Sequence, residues 1–281
     1  FDLGSAEAFQ RFLTEEATGS QTADIIVNTD GAGWLDLIGR GKVVDYVDPE
    51  LADLPDLAVA APGVFAMSVD PLIGVFNTKA LPEDQQPDTL AELADQAEEL
   101  DGKIGTIEAE NGQAGLGFYG YTEERGEEGW EVLAQLGPHT KVEDGNGALV
   151  GKLQSGEYVA SFMTSGSLRA LIDTTDTGEV LNYRYLTDAT VLPTRGIGIT
   201  TAATSPNAAK VLVNFLLSQE GQTAACAGGF TPYRDDVDCD QDLASIEELV
   251  GEGNAVVVGY PTELQAGLRE MRDRWNEAFG R

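Results

Sequence analysis

Residues 23–41 read ADIIVNTDGAGWLDLIGRG, and the order of residue types in that stretch decides the class of fold. Ala23-Asp24-Ile25-Ile26-Val27 is a short, nearly continuous apolar run with β-branched side chains. It ends in the polar turn Asn28-Thr29-Asp30-Gly31. That is the pattern of a buried parallel strand followed by a loop and a helix. The same alternation recurs along the chain. Ile73-Gly74-Val75-Phe76-Asn77, Lys103-Ile104-Gly105-Thr106-Ile107, Tyr158-Val159-Ala160-Ser161-Phe162 and Gly196-Ile197-Gly198-Ile199 read as strands. Between and around them, helices are predicted over Ser5–Glu16, Thr89–Leu100, from Gly112 towards Tyr121, and over Gly129–Leu136, Leu168–Ile172 and Asn207–Ser218. Ser5 is the expected N-cap of the first, with Ala8, Phe9, Phe12 and Leu13 on one face. In Asn207–Ser218, Val211, Leu212, Phe215 and Leu216 are expected to point inward. Alternating strands and helices predict an α/β fold with mostly parallel sheets.

The chain has 281 residues, enough for one large or two medium domains, and 42% are hydrophobic. No apolar stretch approaches the roughly 20 residues of a membrane helix. No basic segment followed by a short apolar core marks a secretion signal within these residues. Seventeen basic against 48 acidic residues give a net charge of −31. Such a surface repels nucleic acid and anionic lipid, so neither is an expected partner. No nucleophile elbow, P-loop or dinucleotide-binding glycine motif sits in the required context, and His139 is the single histidine. No catalytic residue, cofactor or metal site is therefore predicted. Cys226 and Cys239 flank a Gly/Pro/Asp-rich stretch. In a cytosolic protein they would read as unrelated thiols; in an exported one they would most simply form one local disulfide.

Taken in order, the segments resemble the iron(III)-type branch of the type 2 periplasmic solute-binding proteins of ABC importers. The resemblance rests on Ala23-Asp24-Ile25-Ile26 with Trp34–Gly41, Val75-Phe76-Asn77-Thr78-Lys79-Ala80-Leu81, Lys103-Ile104-Gly105, Gly126-Glu127-Glu128-Gly129-Trp130 and Ser155–Ala160. To these it adds Ser205–Gln222 followed by Thr231-Pro232-Tyr233-Arg234-Asp235-Asp236-Val237. It implies two lobes joined by two hinge strands: lobe 1 at residues 1–78 and 195–281, lobe 2 at residues 79–194. The family's first strand and helix, which precede the equivalent of Phe1-Asp2-Leu3-Gly4, are missing from this chain. A signal peptide and any lipid-anchoring cysteine would lie before it. The resemblance also implies a monomeric, extracytoplasmic protein, periplasmic or a cell-surface lipoprotein. It would hand one small solute from the cleft between the lobes to a membrane permease, and the disulfide Cys226–Cys239 suits that compartment.

Ferric members of the branch use an acidic residue from a first-lobe turn and two adjacent tyrosines from the second lobe. Thr29 and Asp30 match the first position. The tyrosine pair falls on Ser165 and Gly166, neither a phenol, so an iron site is not expected. Thr164-Ser165-Gly166-Ser167 reads instead as a helix start offering hydroxyls and backbone N–H groups to an anion or polar oxygen, or as an ordinary N-cap. Asn111, Gly112 and Gln113 match a second helix start where the family holds an accompanying anion, although Glu110 would repel one. Arg195 either pairs with a carboxylate or phosphate or braces the hinge. Tyr233 is an aromatic near a predicted cleft loop, as are Trp34 and Tyr119, and core packing is the other reading for all three. Arg169, one turn into that helix, reads equally as a ligand contact or as a solvated surface residue. These positions predict a small oxyanion-bearing organic solute: a phosphate ester, phosphonate or carboxylate. A cationic or zwitterionic ligand of polyamine or thiamine type is the alternative, favoured by Asp30, Glu108 and Glu110.

Overall fold

The computed structural model describes residues 5–46 and 54–281, with side chains from residue 7 onward. The chain divides into two compact units. Unit 1 comprises residues 1–69, 193–244 and 259–266; unit 2 comprises residues 70–192, 245–258 and 267–281. The stretch after Ala244 is thus shared, residues 245–258 and 267–281 grouping with unit 2.

Unit 1 is built on β1 (Ile25–Asn28), β2 (Val59–Ala61), β3 (Val64–Val69) and the greater part of β9 (Thr190–Ile199). The strand order is β1-β9-β3-β2. β9 runs antiparallel to both β1 and β3, with Asn28 opposite Gly196 and Ser68 opposite Arg195. β1 and β3 therefore point the same way, as a strand–helix repeat requires. The returning β9 lies between them, and that insertion makes this sheet antiparallel where sequence predicted parallel pairing. β9 carries glycine at 196 and 198 because Trp34 and Tyr260 lie flat against it. A Cβ at Gly196 would stand 2.7 Å from the Trp34 Nε1 and 2.9 Å from the Tyr260 ring.

Helices α1 (Ser5–Ala17) and α2 (Gly31–Gly39) cover the Trp34 side; Phe9 meets Trp34 edge-on at 5.2 Å. The opposite side holds Tyr46, Phe65, Met67, Ile197 and Ile199 against α7 (Pro206–Leu217), and α8 (Gln219–Ala227) follows. The α7 residues that pack are Ala209, Val213 and Leu217, while Val211 is 71% exposed and Leu212 and Phe215 are 46% and 44% exposed. This reverses the expected face. The helix has apolar residues nearly all round, and the sheet selects the i, i+4, i+8 row of small and branched side chains.

Unit 2 contains β4 (Leu72–Asn77), β5 (Ile104–Ile107), β6 (Thr140–Glu143), β7 (Ala160–Ser165) and β8 (Leu181–Arg184) in the order β6-β5-β7-β4-β8. Here the parallel expectation holds for β5–β6 and β5–β7, whereas β4 is antiparallel to β7 and β8. The helices are α3 (Leu90–Asp95), α4 (Gly112–Leu136), α5 (Asn146–Ser155), α6 (Leu168–Thr174), most of α9 (Leu243–Val250) and most of α10 (Leu264–Phe279). α3 is shorter than predicted. The two helices expected between Gly112 and Leu136 run on as one, broken at Gly126 (φ 58°, ψ −136°). Phe118 of α4, Phe162 of β7, and Trp275 and Phe279 of α10 form an aromatic core, Trp275 stacking on Phe279 at 4.2 Å. Among the described residues no helix is long and apolar enough to cross a membrane.

Cys226 at the end of α8 is disulfide-bonded to Cys239, closing the loop that carries Tyr233 and Arg234. Replacing both cysteines with serine should lower stability by about 3 kcal/mol, the usual entropic worth of a loop of that size. The check is the denaturation midpoint with and without reductant. On α7, Val213→Ala should cost about 2 kcal/mol. Val211→Ser should stay within about 0.5 kcal/mol, and the reverse ranking would restore the face expected from sequence.

Candidate functional site

In unit 2 the parallel strands β5, β6 and β7 end together, and each hands over to a helix through a short polar turn. β5 leads through Glu108–Asn111 into α4, β6 through Asp144-Gly145 into α5, and β7 through Gly166-Ser167 into α6. The open edge of an α/β sheet at its strand C-termini is the usual place for a ligand, because loops and helix N-termini converge there. Asn111 caps α4, its Oδ1 accepting from the N–H groups of Gln113 (3.1 Å) and Ala114 (3.3 Å). The Gln113 Nε2 is buried without a hydrogen-bond partner. From the start of α5, the Asn146 Oδ1 accepts from the Ser165 N–H at 3.2 Å. Sequence did not single out Asn146; its place after Asp144-Gly145 was the available signal.

The segment 164–167 differs from the helix cap expected. Thr164 and Ser165 complete β7, Gly166 turns the chain, and Ser167 precedes α6 with helical dihedrals and no side-chain cap bond. What re-aims this end of β7 is a bulge: Ile73 pairs with Thr164 but Val75 with Ser161, leaving an extra residue on β7. The bulge holds Met163 at φ 51°, the one positive φ outside glycine among the described residues. A methionine there costs roughly 1–2 kcal/mol. Such a conformation persists only where packing over-determines it, commonly beside functional sites. Ser161 and Thr164 share a hydroxyl–hydroxyl bond of 2.9 Å across the bulge. Beyond it the Ser165 and Ser167 hydroxyls meet at 3.0 Å, Ser165 buried and Ser167 exposed. Gly166 donates its N–H to the Pro71 carbonyl at 2.8 Å, and a Cβ there would stand 2.5 Å from that oxygen. Position 166 therefore has no room for a tyrosine, which closes the phenolate-pair arrangement on steric as well as chemical grounds.

Of the two sequence readings of Arg169 the solvated one does not hold: the residue is 1% exposed. Its Nε donates to the Gly166 carbonyl at 2.9 Å and its Nη1 to the Tyr185 hydroxyl at 2.5 Å. Tyr185 follows β8 and reaches the same edge; burial pushes its phenol up while Arg169 pulls it back. Acidic groups share the edge. The Glu108 N–H bonds to the Glu143 carbonyl at 3.0 Å, and the Glu108 carboxyl is held above its ordinary range by burial and by Asp144 and Glu110.

Unit 1 presents its own edge at the ends of β1 and β3. Asp30 is committed to capping α2, its Oδ1 accepting from the Gly33 N–H at 3.0 Å, and its own N–H is held by the Asn28 Oδ1 at 2.9 Å. Thr29 beside it is buried. Arg195, adjacent on β9, lies over the Phe230 ring at 5.3 Å. Trp34 is a core residue that donates to the Asn28 carbonyl at 3.1 Å. Tyr233 is buried with its hydroxyl lacking a hydrogen-bond partner, and burial holds its phenol well above the usual range. Within each unit the candidates thus gather at one sheet edge: Asn111, Gly112, Gln113 and Thr164–Ser167 in unit 2, Thr29, Asp30 and Arg195 in unit 1. Tyr233 sits on the disulfide-closed loop, whose Thr231 carbonyl accepts from the Val69 N–H at the end of β3. Among the described residues no group of three or more His, Cys, Asp or Glu side chains is arranged to hold a metal ion.

Solved structures share the fold. A substrate-binding protein of an ABC transporter from Agrobacterium tumefaciens matches with a TM-score of 0.85 at 22% identity, covering 99% of this chain and 84% of its own. Iron-bound HitA from Pseudomonas aeruginosa gives 0.73 at 19%, covering 96% and 88%. The periplasmic binding protein AfuA from Actinobacillus pleuropneumoniae, with fructose-6-phosphate bound, gives 0.71 at 18%, covering 99% and 88%. These likenesses establish the α/β fold of the type 2 periplasmic binding proteins. No curated protein sequence matches significantly. The family model for bacterial extracellular solute-binding proteins matches residues 2–249, and with this fold beneath it the chain belongs to that family.

Proposed function

We propose that the chain is the solute-capturing component of an ABC importer and that it takes a small oxyanion-bearing organic solute: a phosphate ester, phosphonate or carboxylate. The observation that carries this reading is the turn after β7. Two hydroxyls stand 3.0 Å apart there, and a buried guanidinium holds the carbonyl between them. Hydroxyl and N–H donors backed by fixed positive charge suit an oxyanion better than a cation. The solute then exchanges water for donors already held in place by Asn146, Pro71 and Arg169, so little ordering cost remains at binding. Captured solute passes to a membrane permease, and no chemistry is performed on it. The division into lobe 1 (1–78, 195–281) and lobe 2 (79–194) and the monomeric, extracytoplasmic form belong to the same proposal. So does an anchoring or signal segment before Phe1.

One observation favours the alternative, a cationic or zwitterionic ligand. Burial, together with Asp144 and Glu110 on the same edge, raises the Glu108 carboxyl. Glu108 decides between the readings, because its charge opposes an anion and attracts a cation.

A thermal-shift screen of phosphate esters, phosphonates, carboxylates and polyamines should find stabilisation by an oxyanion, about 2.7 kcal/mol at 100 times its Kd. Ser167→Ala should weaken that ligand about tenfold, the worth of one hydrogen bond to a charged group, while the melting temperature of the free protein stays put. Glu108→Gln should strengthen it about fivefold, roughly 1 kcal/mol of relieved repulsion. Because Glu108 keeps its proton to higher pH than a free glutamate, affinity for the anion should also rise as pH falls through that range. Stabilisation by polyamines alone, weakened by Glu108→Gln, would replace the proposal with the alternative.

A further inference from the structure

Arg169 is among the largest fully buried side chains of the molecule. Burying a guanidinium is costly unless its five N–H donors are met, so its placement is a constraint that must be satisfied locally. It is met in a specific way. Arg169 binds the Gly166 carbonyl twice, through its backbone N–H at 3.1 Å and through Nε at 2.9 Å. Its Nη1 reaches the Tyr185 hydroxyl at 2.5 Å, and its guanidinium lies 5.8 Å from the centre of the Tyr185 ring. Tyr185 is brought there by β8, two strands away from β7, and is itself half-buried.

The Gly166 carbonyl belongs to the peptide whose other end is the Ser167 N–H. A cationic donor on the carbonyl oxygen polarises that peptide and makes its N–H a stronger donor, because hydrogen bonds in series reinforce one another. The Ser167 N–H meets only a long contact in this structure, 3.4 Å to the Ser165 Oγ. The two preceding donors are already engaged, the Ser165 N–H by the Asn146 Oδ1 and the Gly166 N–H by the Pro71 carbonyl. Of the three N–H groups at 165–167, the Ser167 N–H is thus the one with no short partner, beside two serine hydroxyls that bond each other.

We propose that Arg169 is a positioning residue for the oxyanion: through the Gly166 carbonyl it orients and polarises the Ser167 N–H, selecting a multiply charged oxyanion such as a phosphate monoester. This rests on the oxyanion reading of the same turn. The guanidinium acts from beneath the turn, and Tyr185 holds it to that task by occupying its outer nitrogen.

The test is isothermal titration of the full chain with fructose 6-phosphate and with inorganic phosphate, in wild type, Arg169→Gln, Arg169→Lys and Tyr185→Phe. Arg169→Gln should weaken binding of whichever probe the wild type takes by 10- to 100-fold, the range for a lost hydrogen bond to a charged group. Arg169→Lys, which keeps the charge, should recover at least half of that loss on a logarithmic scale. Tyr185→Phe should weaken binding several-fold by freeing the guanidinium. A purely structural role would lower the melting temperature and leave Lys no better than Gln, and that result overturns the proposal. So does an Arg169→Gln protein that binds like wild type. If Arg169→Gln does not fold, unchanged affinity in both Arg169→Lys and Tyr185→Phe overturns it. Wild type binding neither probe overturns this inference, and wild type stabilised by no phosphate ester, phosphonate or carboxylate in the thermal-shift screen overturns the oxyanion reading with it, whereas wild-type binding with indifferent variants removes the inference alone.

Discussion

The chemistry of unit 2 depends on one methionine held in the left-handed region. Met163 sits at φ 51° inside β7, between the part of the strand that pairs regularly with β4 and the part that carries Thr164 and Ser165. Without that extra residue the period of two would continue, and every side chain beyond it would face the other side of the sheet. The strain is held in place from several directions. The Ser161–Thr164 hydroxyl bond spans the bulge, and α4 approaches so closely that a Cβ on Gly117 would stand 2.0 Å from Leu72 and 3.3 Å from the Met163 sulfur. Packing of helix on strand thus sets where the hydroxyls of the following turn point.

Around that turn charge is arranged against the bulk. The molecule carries −31, yet the group tied to the Gly166 carbonyl is a buried arginine. Carboxylates gather on the neighbouring turns, where burial together with Asp144 and Glu110 raises the cost of ionising Glu108. A site with fixed positive charge below and negative charge beside it discriminates by position. On the oxyanion proposal, a solute seated on the Ser165–Ser167 turn would meet the arginine's field, and one displaced towards Glu108 would meet repulsion. The net charge by itself suggested only what the protein avoids.

Much of the fold was legible in the residue order. Strand–turn–helix units announced themselves because an apolar run cut off by Asn, Asp or Gly has few other uses, and the strands expected at Ile25, Ile73, Ile104 and Ile197 are present. Partner choice was not legible. β9 reads as a strand, but nothing in Gly196-Ile197-Gly198-Ile199 says that it returns between β1 and β3, because pairing direction is settled by contacts far apart in sequence. α7 failed for a related reason. With Val211, Leu212, Val213, Phe215, Leu216 and Leu217 in one helix, two faces satisfy a helical period, and the sheet beneath took Ala209, Val213 and Leu217.

The sequence by itself determined the class of fold through residue type and local order; it offered Cys226 and Cys239 as a disulfide only for an exported protein, and the family resemblance put Ser165 and Gly166 where a phenol pair would stand. It also pointed to the stretch 164–167, though as a helix cap. Tertiary structure alone decided that this stretch ends a bulged strand, that Arg169 is buried beneath it and that Tyr185 and Asn146 reach it from separate elements. The reason is physical: a backbone bulge and a buried cation are stable only through partners supplied by other parts of the chain, and local residue order carries no record of them.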